Sequence, residues 1–194
     1  MRLRVIEIIS VLLALSACSV SPKSNIYLLK AIEPVQDKLV AQKPISIYLQ
    51  SVDFPDYLDR PQMVLRKDSV TLDVEQFQRW GEPLNISFER VFRENLEMRL
   101  APAKVLSKKT FSAMVFDYQL AIDISRFDTD AQQQAILQLN WTILNGLGNK
   151  ILFFSPDTIT VIIKADNFQA RVEAQSAAVA ILADKVAVQL RGIE

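Results

Sequence analysis

The stretch from Ile45 to Leu100 decides the fold, and it reads ISIYLQSVDFPDYLDRPQMVLRKDSVTLDVEQFQRWGEPLNISFERVFRENLEMRL. Its first residues alternate apolar and polar side chains, which predicts a strand over 45–52. Residues 53–61 contain two prolines and three aspartates, a composition that continues neither a strand nor a helix. We therefore expect a shaped loop here, around which a strand, a hairpin and a helix meet.

A hairpin follows this loop. Two short apolar runs, 62–66 and 70–73, flank the turn-forming tripeptide at 67–69, which is the pattern of two paired strands. We interpret residues 74–79 as a short helical turn that leads to Trp80.

Two long helices are predicted. The first begins near Glu82, with Pro83 in the first turn, where its missing N–H is tolerated. Apolar residues then recur at helical spacing along one face. The second helix is expected over 167–189, with Asp166 or Asn167 as its N-terminal cap.

The clearest strand patterns lie between the helices. Strict alternation predicts strands at 116–125 and 137–143, and a glycine-containing turn at 145–149 leads to a third strand at 151–163, bent or bulged at Ser155-Pro156. Short connections favour an antiparallel order. The fold class is therefore α+β, a two-layer α/β sandwich: a largely antiparallel sheet with two long helices packed on one face.

The other face of this sheet is polar. It is either solvated or lines an assembly, for example a homo-oligomer, or faces a partner protein. We favour solvent because half-solvated antiparallel sheets are common.

The composition excludes several kinds of function. The chain has 194 residues, no net charge, one Cys and no His. A histidine-based triad, a histidine metal ligand and an internal disulfide are therefore absent. Without a basic excess or a glycine-rich phosphate loop, nucleic-acid and nucleotide binding are not expected. We predict no catalytic residue, no metal and no cofactor.

The N-terminus has the pattern of a lipoprotein signal. Arg2 and Arg4 precede the apolar run 8–15, which is too short to span a membrane. Leu-Ser-Ala-Cys, ending at Cys18, matches the bacterial lipobox, in which the cysteine becomes the acylated first residue; palmitate is one such acyl chain. An ordinary cleaved signal with an incidental cysteine is the alternative, which the lack of a second Cys disfavours.

This pattern sets the domain organisation. Residues 1–17 are the signal peptide, residues 18–25 are the lipidated cysteine and a short tether, and residues 26–194 form a single periplasmic domain. The tether reaches only about 25 Å at 3.3–3.6 Å per residue. By resemblance to bacterial lipoproteins, Ser19 after the cysteine favours the outer membrane.

Charged residues of the loop allow two interpretations each. Asp53, Asp56 and Asp59 are oxygen ligands of the kind that hard cations take, but turn-forming aspartates are the interpretation we favour. Arg60 either contacts a partner or lipid headgroup, or forms a salt bridge that fixes the loop inside the domain. We slightly favour the internal salt bridge.

Aromatic residues near the loop are also open to two interpretations. Trp80 at the entrance of the helix is either a core residue, which we favour, or an interface anchor. Phe54 and Tyr57 lie on a proline-rich loop, where aromatic side chains dock a partner or tuck beneath the loop.

The order of these features resembles the ABC-type transport auxiliary lipoprotein family, including its paraquat-inducible C type. The resemblance rests on Pro55-x-Tyr57-Leu58-Asp59-Arg60-Pro61-Gln62, on Trp80-x-Glu82-Pro83-Leu84 and on Asn95-Leu96. It implies an auxiliary component of a transporter whose substrate-binding-like subunit is an MCE (mammalian cell entry) domain protein. Such systems are linked to lipid traffic between the two membranes and to membrane integrity.

The sequence hypothesis is therefore a non-enzymatic lipoprotein of the outer membrane that docks, from the periplasm, onto an MCE assembly. Phe54, Tyr57, Asp59, Arg60 and Trp80 are its candidate partner-binding residues. The alternative is a carrier that holds a phospholipid in a cavity between helices and sheet. A hydrolase is disfavoured by the missing histidine and the acylated cysteine.

Overall fold

A computed structural model of the chain describes residues 22–34, 44–107 and 115–193. Within these ranges, eight strands form one sheet, and two helices pack against each other and against one face of it. The predicted acylation site, Cys18, lies outside the described residues. The elements are β1 (Asn25–Tyr27), β2 (Ile45–Asp53), β3 (Gln62–Arg66), β4 (Leu72–Trp80), α1 (Leu84–Arg99), β5 (Ala103–Ser107), β6 (Tyr118–Asp130), β7 (Gln134–Asn145), β8 (Ile151–Ile162) and α2 (Phe168–Ile193).

The long strand β6 organises the sheet. On one side it pairs antiparallel with β7 along most of its length, and β7 pairs antiparallel with β8. On its other side it pairs in parallel first with β2, up to the pair Asp53–Asp123, and then with β3, from the pair Leu65–Thr129. Two consecutive strands therefore share one side of β6, and the chain between them leaves the sheet.

The predicted class is confirmed: the domain is α+β, with a sheet that is largely antiparallel. The antiparallel part is the β6–β7–β8 meander, whose strands carry the strict alternation of the sequence. Parallel pairs join β2 to β5 and β1 to β4. These pairs were not predicted, because β5 follows a helical crossover and sequence alternation alone does not show the direction of a partner strand.

Two local predictions were wrong. Residues 74–79 are not a helical turn but part of β4, which is held between β1 and β3. The bulge expected at Ser155-Pro156 is not there, since the register runs through both residues, and the shift in β8 lies instead next to Ile151. Among the described strands β8 pairs with β7 alone, and such an edge strand is where a sheet tolerates proline.

Both helices bury an apolar face. Asn167 caps α2, since its Oδ1 accepts a hydrogen bond from the backbone N–H of Ala170 at 2.8 Å. No helix in the described ranges is long and apolar enough to cross a membrane. The helix residues with no exposed surface include the following: Phe88, Val91, Phe92, Leu96, Val179, Leu182 and Val186.

A polar clamp fixes the N-terminal segment 28–34 to α1. The side-chain oxygen of Asn95 accepts the backbone N–H of Ile32 at 2.9 Å, and the Arg99 guanidinium donates to the carbonyl of Ile32 at 3.1 Å. Arg99 is buried and also forms an ion pair with Asp184 of α2. The clamp therefore joins both helices to the segment that follows the tether.

Candidate functional site

The loop predicted from the two prolines is an excursion from the sheet, residues 54–61. It leaves after β2 and returns at β3, and it fills the gap that these strands leave beside the middle of β6. A short 3-10 turn, Asp56–Leu58, gives it a fixed shape, with the backbone N–H of Leu58 bonded to the carbonyl of Pro55 at 3.0 Å. Because it occupies a gap, the excursion reaches both faces of the sheet.

On the helix side, the excursion is anchored by Phe54. Its ring packs edge to face against Phe88 of α1, at 5.4 Å between centroids, and against Phe127 of β6, at 6.3 Å. Leu58 is buried as well. Such aromatic pairs add about 0.5–1.5 kcal/mol beyond the apolar area they bury. Phe54 is thus a structural part of the core edge.

On the opposite side, the excursion is anchored by Tyr57. Its hydroxyl donates to Oδ2 of Asp128 at 3.2 Å. The Asp128 side chain has no exposed surface. It also accepts hydrogen bonds from Arg66 Nε at 3.0 Å and Arg126 Nε at 2.7 Å. Two arginines and a tyrosine therefore surround one buried carboxylate, as the cost of burying a charge requires.

The electrostatics of this cluster follow from its burial. Burial raises the pKa of Tyr57 above its ordinary value, and the nearby Asp128 carboxylate adds to this shift. Desolvation lowers the pKa of Arg66, but its hydrogen bonds and charge interactions with Asp128 and Tyr57 together outweigh it, so the pKa is raised. Arg66 also lies over the Tyr57 ring, 5.9 Å from its centroid. Tyr57 therefore remains protonated and bonded at neutral pH.

The excursion and the segment 80–85 enclose a surface groove of about 520 Å³. The backbone N–H of Trp80 donates to the carbonyl of Pro61 at 2.8 Å, which ties the two segments together. The groove is therefore built from the two parts of the sequence motif, which are separated by the β3–β4 hairpin. The lining residues are Val52, Asp53, Phe54, Asp56, Leu58, Asp59, Arg60, Pro61, Trp80, Gly81, Glu82, Pro83, Leu84 and Asn85.

The rim of the groove is acidic. Asp53, Asp56 and Asp59 are exposed lining residues, as is Arg60. Glu82 forms an ion pair with Arg90 at 2.6 Å, and this hydrogen-bonded pair lowers the pKa of Glu82. The positive charge of Arg90 balances that of Glu82. The three aspartates and Arg60 therefore give the rim a net charge of −2.

The structure decides between several of the alternative interpretations. Trp80 is buried, with 7% of its surface exposed, and belongs to the core. Among the described residues, Arg60 takes part in no ion pair, so the salt bridge that we favoured for it is not found. In the described ranges no group of three or more His, Cys, Asp or Glu side chains is arranged to hold a metal ion, and this includes the three aspartates. Partner contacts by these residues stay predictions.

Asp128 was missed in the sequence. The alternation of β6 was followed only to residue 125, and the strand shifts register between Ile124 and Arg126. After that shift Phe127 faces the helices and Asp128 faces the other side, where a carboxylate would normally be solvated. The sequence feature that indicates Asp128 is the run Asp128-Thr129-Asp130, three polar residues that belong to the strand although the alternation ends at residue 125.

The packing between helices and sheet opposes the phospholipid-carrier alternative. Phe88, Leu182 and Val186 have no accessible surface, and their sheet-side neighbours Leu137 and Ile143 have none either. A residue without accessible surface does not border a void large enough for a water molecule. The interior is therefore filled at these positions.

The fold and groove together define a class: a two-layer α+β domain that presents a preformed, acidic-rimmed groove at its surface. The chain belongs to the ABC-type transport auxiliary lipoprotein component family, whose model matches residues 27–187. Family membership makes it a membrane-anchored lipoprotein facing the periplasm and an auxiliary component of an ABC-type transport system, which implies partner proteins.

Solved structures share the fold. An uncharacterized protein is similar at a TM-score of 0.73 and 15% identity, over 87% of this chain and 99% of that one. A protein from Xanthomonas campestris is similar at a TM-score of 0.70 and 18% identity, over 84% and 93% of the two chains. No curated protein matches the chain.

Proposed function

We propose that this protein is a docking subunit, anchored to the outer membrane through acylated Cys18, of an MCE-type ABC transport system that moves lipid between membranes. The groove between the excursion and the segment 80–85 is the docking site. The protein provides a docking surface at a fixed position. The transport cycle and its ATP hydrolysis are carried out by other subunits.

The observation that carries this proposal is the meeting of the two motif segments in one groove. A motif that served only the fold would have no need to leave Asp59 and Arg60 exposed beside a cavity. These exposed residues lie on a rigid base formed by Phe54, Tyr57 and Trp80. Rigid loops on a stable scaffold are where binding residues concentrate.

A blocking variant tests the docking site. Asn85 lines the groove and is exposed, so Asn85→Trp would fill it without disturbing the core. Asp73→Trp, on an exposed position of β4 outside the groove, is the matched control. We expect affinity capture from solubilised envelopes to recover an MCE protein with the native protein and the control. Equal recovery with Asn85→Trp would contradict the groove as the docking site.

Fractionation tests the anchor. Cys18→Ala removes the acylated residue, and with it the apolar free energy of about 0.8 kcal/mol per buried methylene that holds the chain in the membrane. We expect the variant in the soluble periplasmic fraction and the native protein in the outer-membrane fraction of a sucrose gradient. Native protein in the inner-membrane fraction would contradict the outer-membrane placement.

A further inference from the structure

We propose that the groove binds a chain segment of the partner in which apolar side chains are flanked by lysine or arginine. This inference rests on the proposed docking function and goes further by naming the chemistry of the docked segment. It comes from the two parts of the groove, an apolar floor and an acidic rim.

The floor of the groove suits an apolar side chain. It is formed by core residues at their solvent edge, including Leu58, Trp80 and Leu84, which are 5%, 7% and 3% exposed. Phe54 adds a half-buried ring whose inner edge is fixed by Phe88. An aromatic or aliphatic anchor that enters a pocket of this kind is the usual centre of a protein–protein contact.

The rim selects basic flanking residues. Asp56 and Asp59 have no ion-pair partner among the described residues, and the side chain of Asp53 accepts only a neutral hydroxyl, that of Ser51 at 3.1 Å. These three carboxylates thus retain their charge for an incoming cation, and the single Arg60 compensates one of them. Complementary charge speeds association and rejects partners of the wrong sign.

The same charges argue against a lipid surface as the occupant. Membranes that contain acidic lipids attract basic segments, whereas this rim carries a net negative charge. The groove is also preformed, because the Trp80–Pro61 backbone bond and the Tyr57–Asp128 bond hold its two walls. A preformed groove binds without the cost of ordering its own residues.

Peptide binding to the acylated full-length protein in detergent micelles tests the inference. The probe is a fluorescein-labelled octapeptide with a central Leu-Phe pair flanked by lysines. Matched peptides replace the lysines by glutamates, or Leu-Phe by Ser-Ser. Fluorescence anisotropy is expected to show binding about tenfold tighter for the lysine peptide than for either matched peptide, since several surface charge pairs act together.

Variants of the rim test whether its negative charge is what favours the lysine peptide. The triple change Asp53→Asn, Asp56→Asn and Asp59→Asn is expected to weaken binding of the lysine peptide about tenfold. The same charge change at three exposed carboxylates outside the groove is the control and is expected to leave binding unchanged. Arg60→Gln removes the opposing charge and is expected to strengthen binding about twofold. The control residues are Glu33, Asp73 and Glu173.

Several outcomes would overturn the inference: equal binding of the glutamate peptide, equal loss in the control triple, or displacement of the peptide by vesicles of phosphatidylcholine, whose headgroups carry no net charge that would attract the lysine peptide itself. Capture of an MCE protein that is insensitive to the rim triple would also overturn it, while leaving the proposed function standing. Selective peptide binding without capture of an MCE protein would support the groove chemistry and remove only the proposed partner.

Discussion

Replacing Asp128 by Asn tests whether the excursion depends on its buried carboxylate. Asparagine keeps the shape but removes the charge. Two guanidinium hydrogen bonds end on this carboxylate, from Arg66 Nε at 3.0 Å and from Arg126 Nε at 2.7 Å, and Arg66 Nη2 lies 3.0 Å from it as an ion-pair contact. Each hydrogen bond to a charged group contributes about 1.5–3 kcal/mol, which gives an upper limit for the loss.

The actual loss will be smaller than that limit. The arginine side chains are 20% and 21% exposed, so both recover part of their hydration when the charge is removed. The asparagine oxygen also continues to accept one hydrogen bond. Since breaking a fully buried ion pair costs about 3–5 kcal/mol, we expect Asp128→Asn to lower the free energy of unfolding by about 2–4 kcal/mol.

Urea unfolding followed by tryptophan fluorescence measures this change. A lower midpoint at an unchanged slope is expected, with a shift of about 1–2 M for a slope of about 2 kcal/mol/M. Asp123→Asn, on an exposed position of the same strand, is the control and is expected to change stability by less than about 0.5 kcal/mol. A loss below about 1 kcal/mol at position 128 would refute the role given to the buried carboxylate.

Three further changes test other parts of the fold. Asn95→Leu removes the acceptor of the Ile32 N–H and one of the several acceptors of the buried Arg99, and is expected to cost about 1–3 kcal/mol in thermal unfolding. Glu82→Gln removes a carboxyl whose pKa is lowered from 4.5 by Arg90, so its stabilisation is present above pH 4.5 and is lost as pH falls through the lowered value. The variant is therefore expected to show a weaker loss of melting temperature below pH 4.5. Gly146→Ala places a Cβ in steric overlap with the Phe116 carbonyl oxygen and is expected to destabilise by about 1–3 kcal/mol.

For each of these three predictions, one outcome would contradict the reasoning. Asn95→Leu at native stability would show that the clamp is not needed for folding. If the melting temperatures of Glu82→Gln and of the native protein fall by equal amounts below pH 4.5, the Glu82–Arg90 pair is not the cause of the acid dependence. Gly192→Ala is the control for Gly146→Ala: its Cβ meets nothing within 4 Å, and alanine in a helix is expected to be neutral or stabilising by up to about 1 kcal/mol. Equal effects at both glycines would contradict the steric argument.

Sequence patterns predicted the features that depend on one segment alone. The alternation of β7 places Leu137, Leu139 and Trp141 in the core, and the proline pair bounds the excursion where expected. Residue type and position narrowed the cap of α2 to Asp166 or Asn167, and the structure shows that it is Asn167. These are local rules, so they hold without knowledge of the neighbouring strands.

Features that depend on pairing between distant segments were not predicted. Residues 74–79 contain Glu, Gln and Arg, which favour a helix in isolation, but β1 and β3 on either side make them a strand. The Asp128 cluster needs three segments to meet after a register shift. The groove needs two motif segments to meet across a hairpin. In each case the deciding contact joins residues far apart in the sequence, so neither segment alone predicts it.

The excursion between β2 and β3 can vary in length and sequence without changing the sheet. Its ends are fixed on one strand, at Asp123 and Thr129 of β6, about 20 Å apart at 3.3 Å per residue. The chain between Asp53 and Leu65 has about 40 Å of contour available to cover that span. The surplus length forms the wall of the groove, so a longer, shorter or differently charged excursion would change that wall without changing the sheet, and under the proposed docking role it would change which protein is bound.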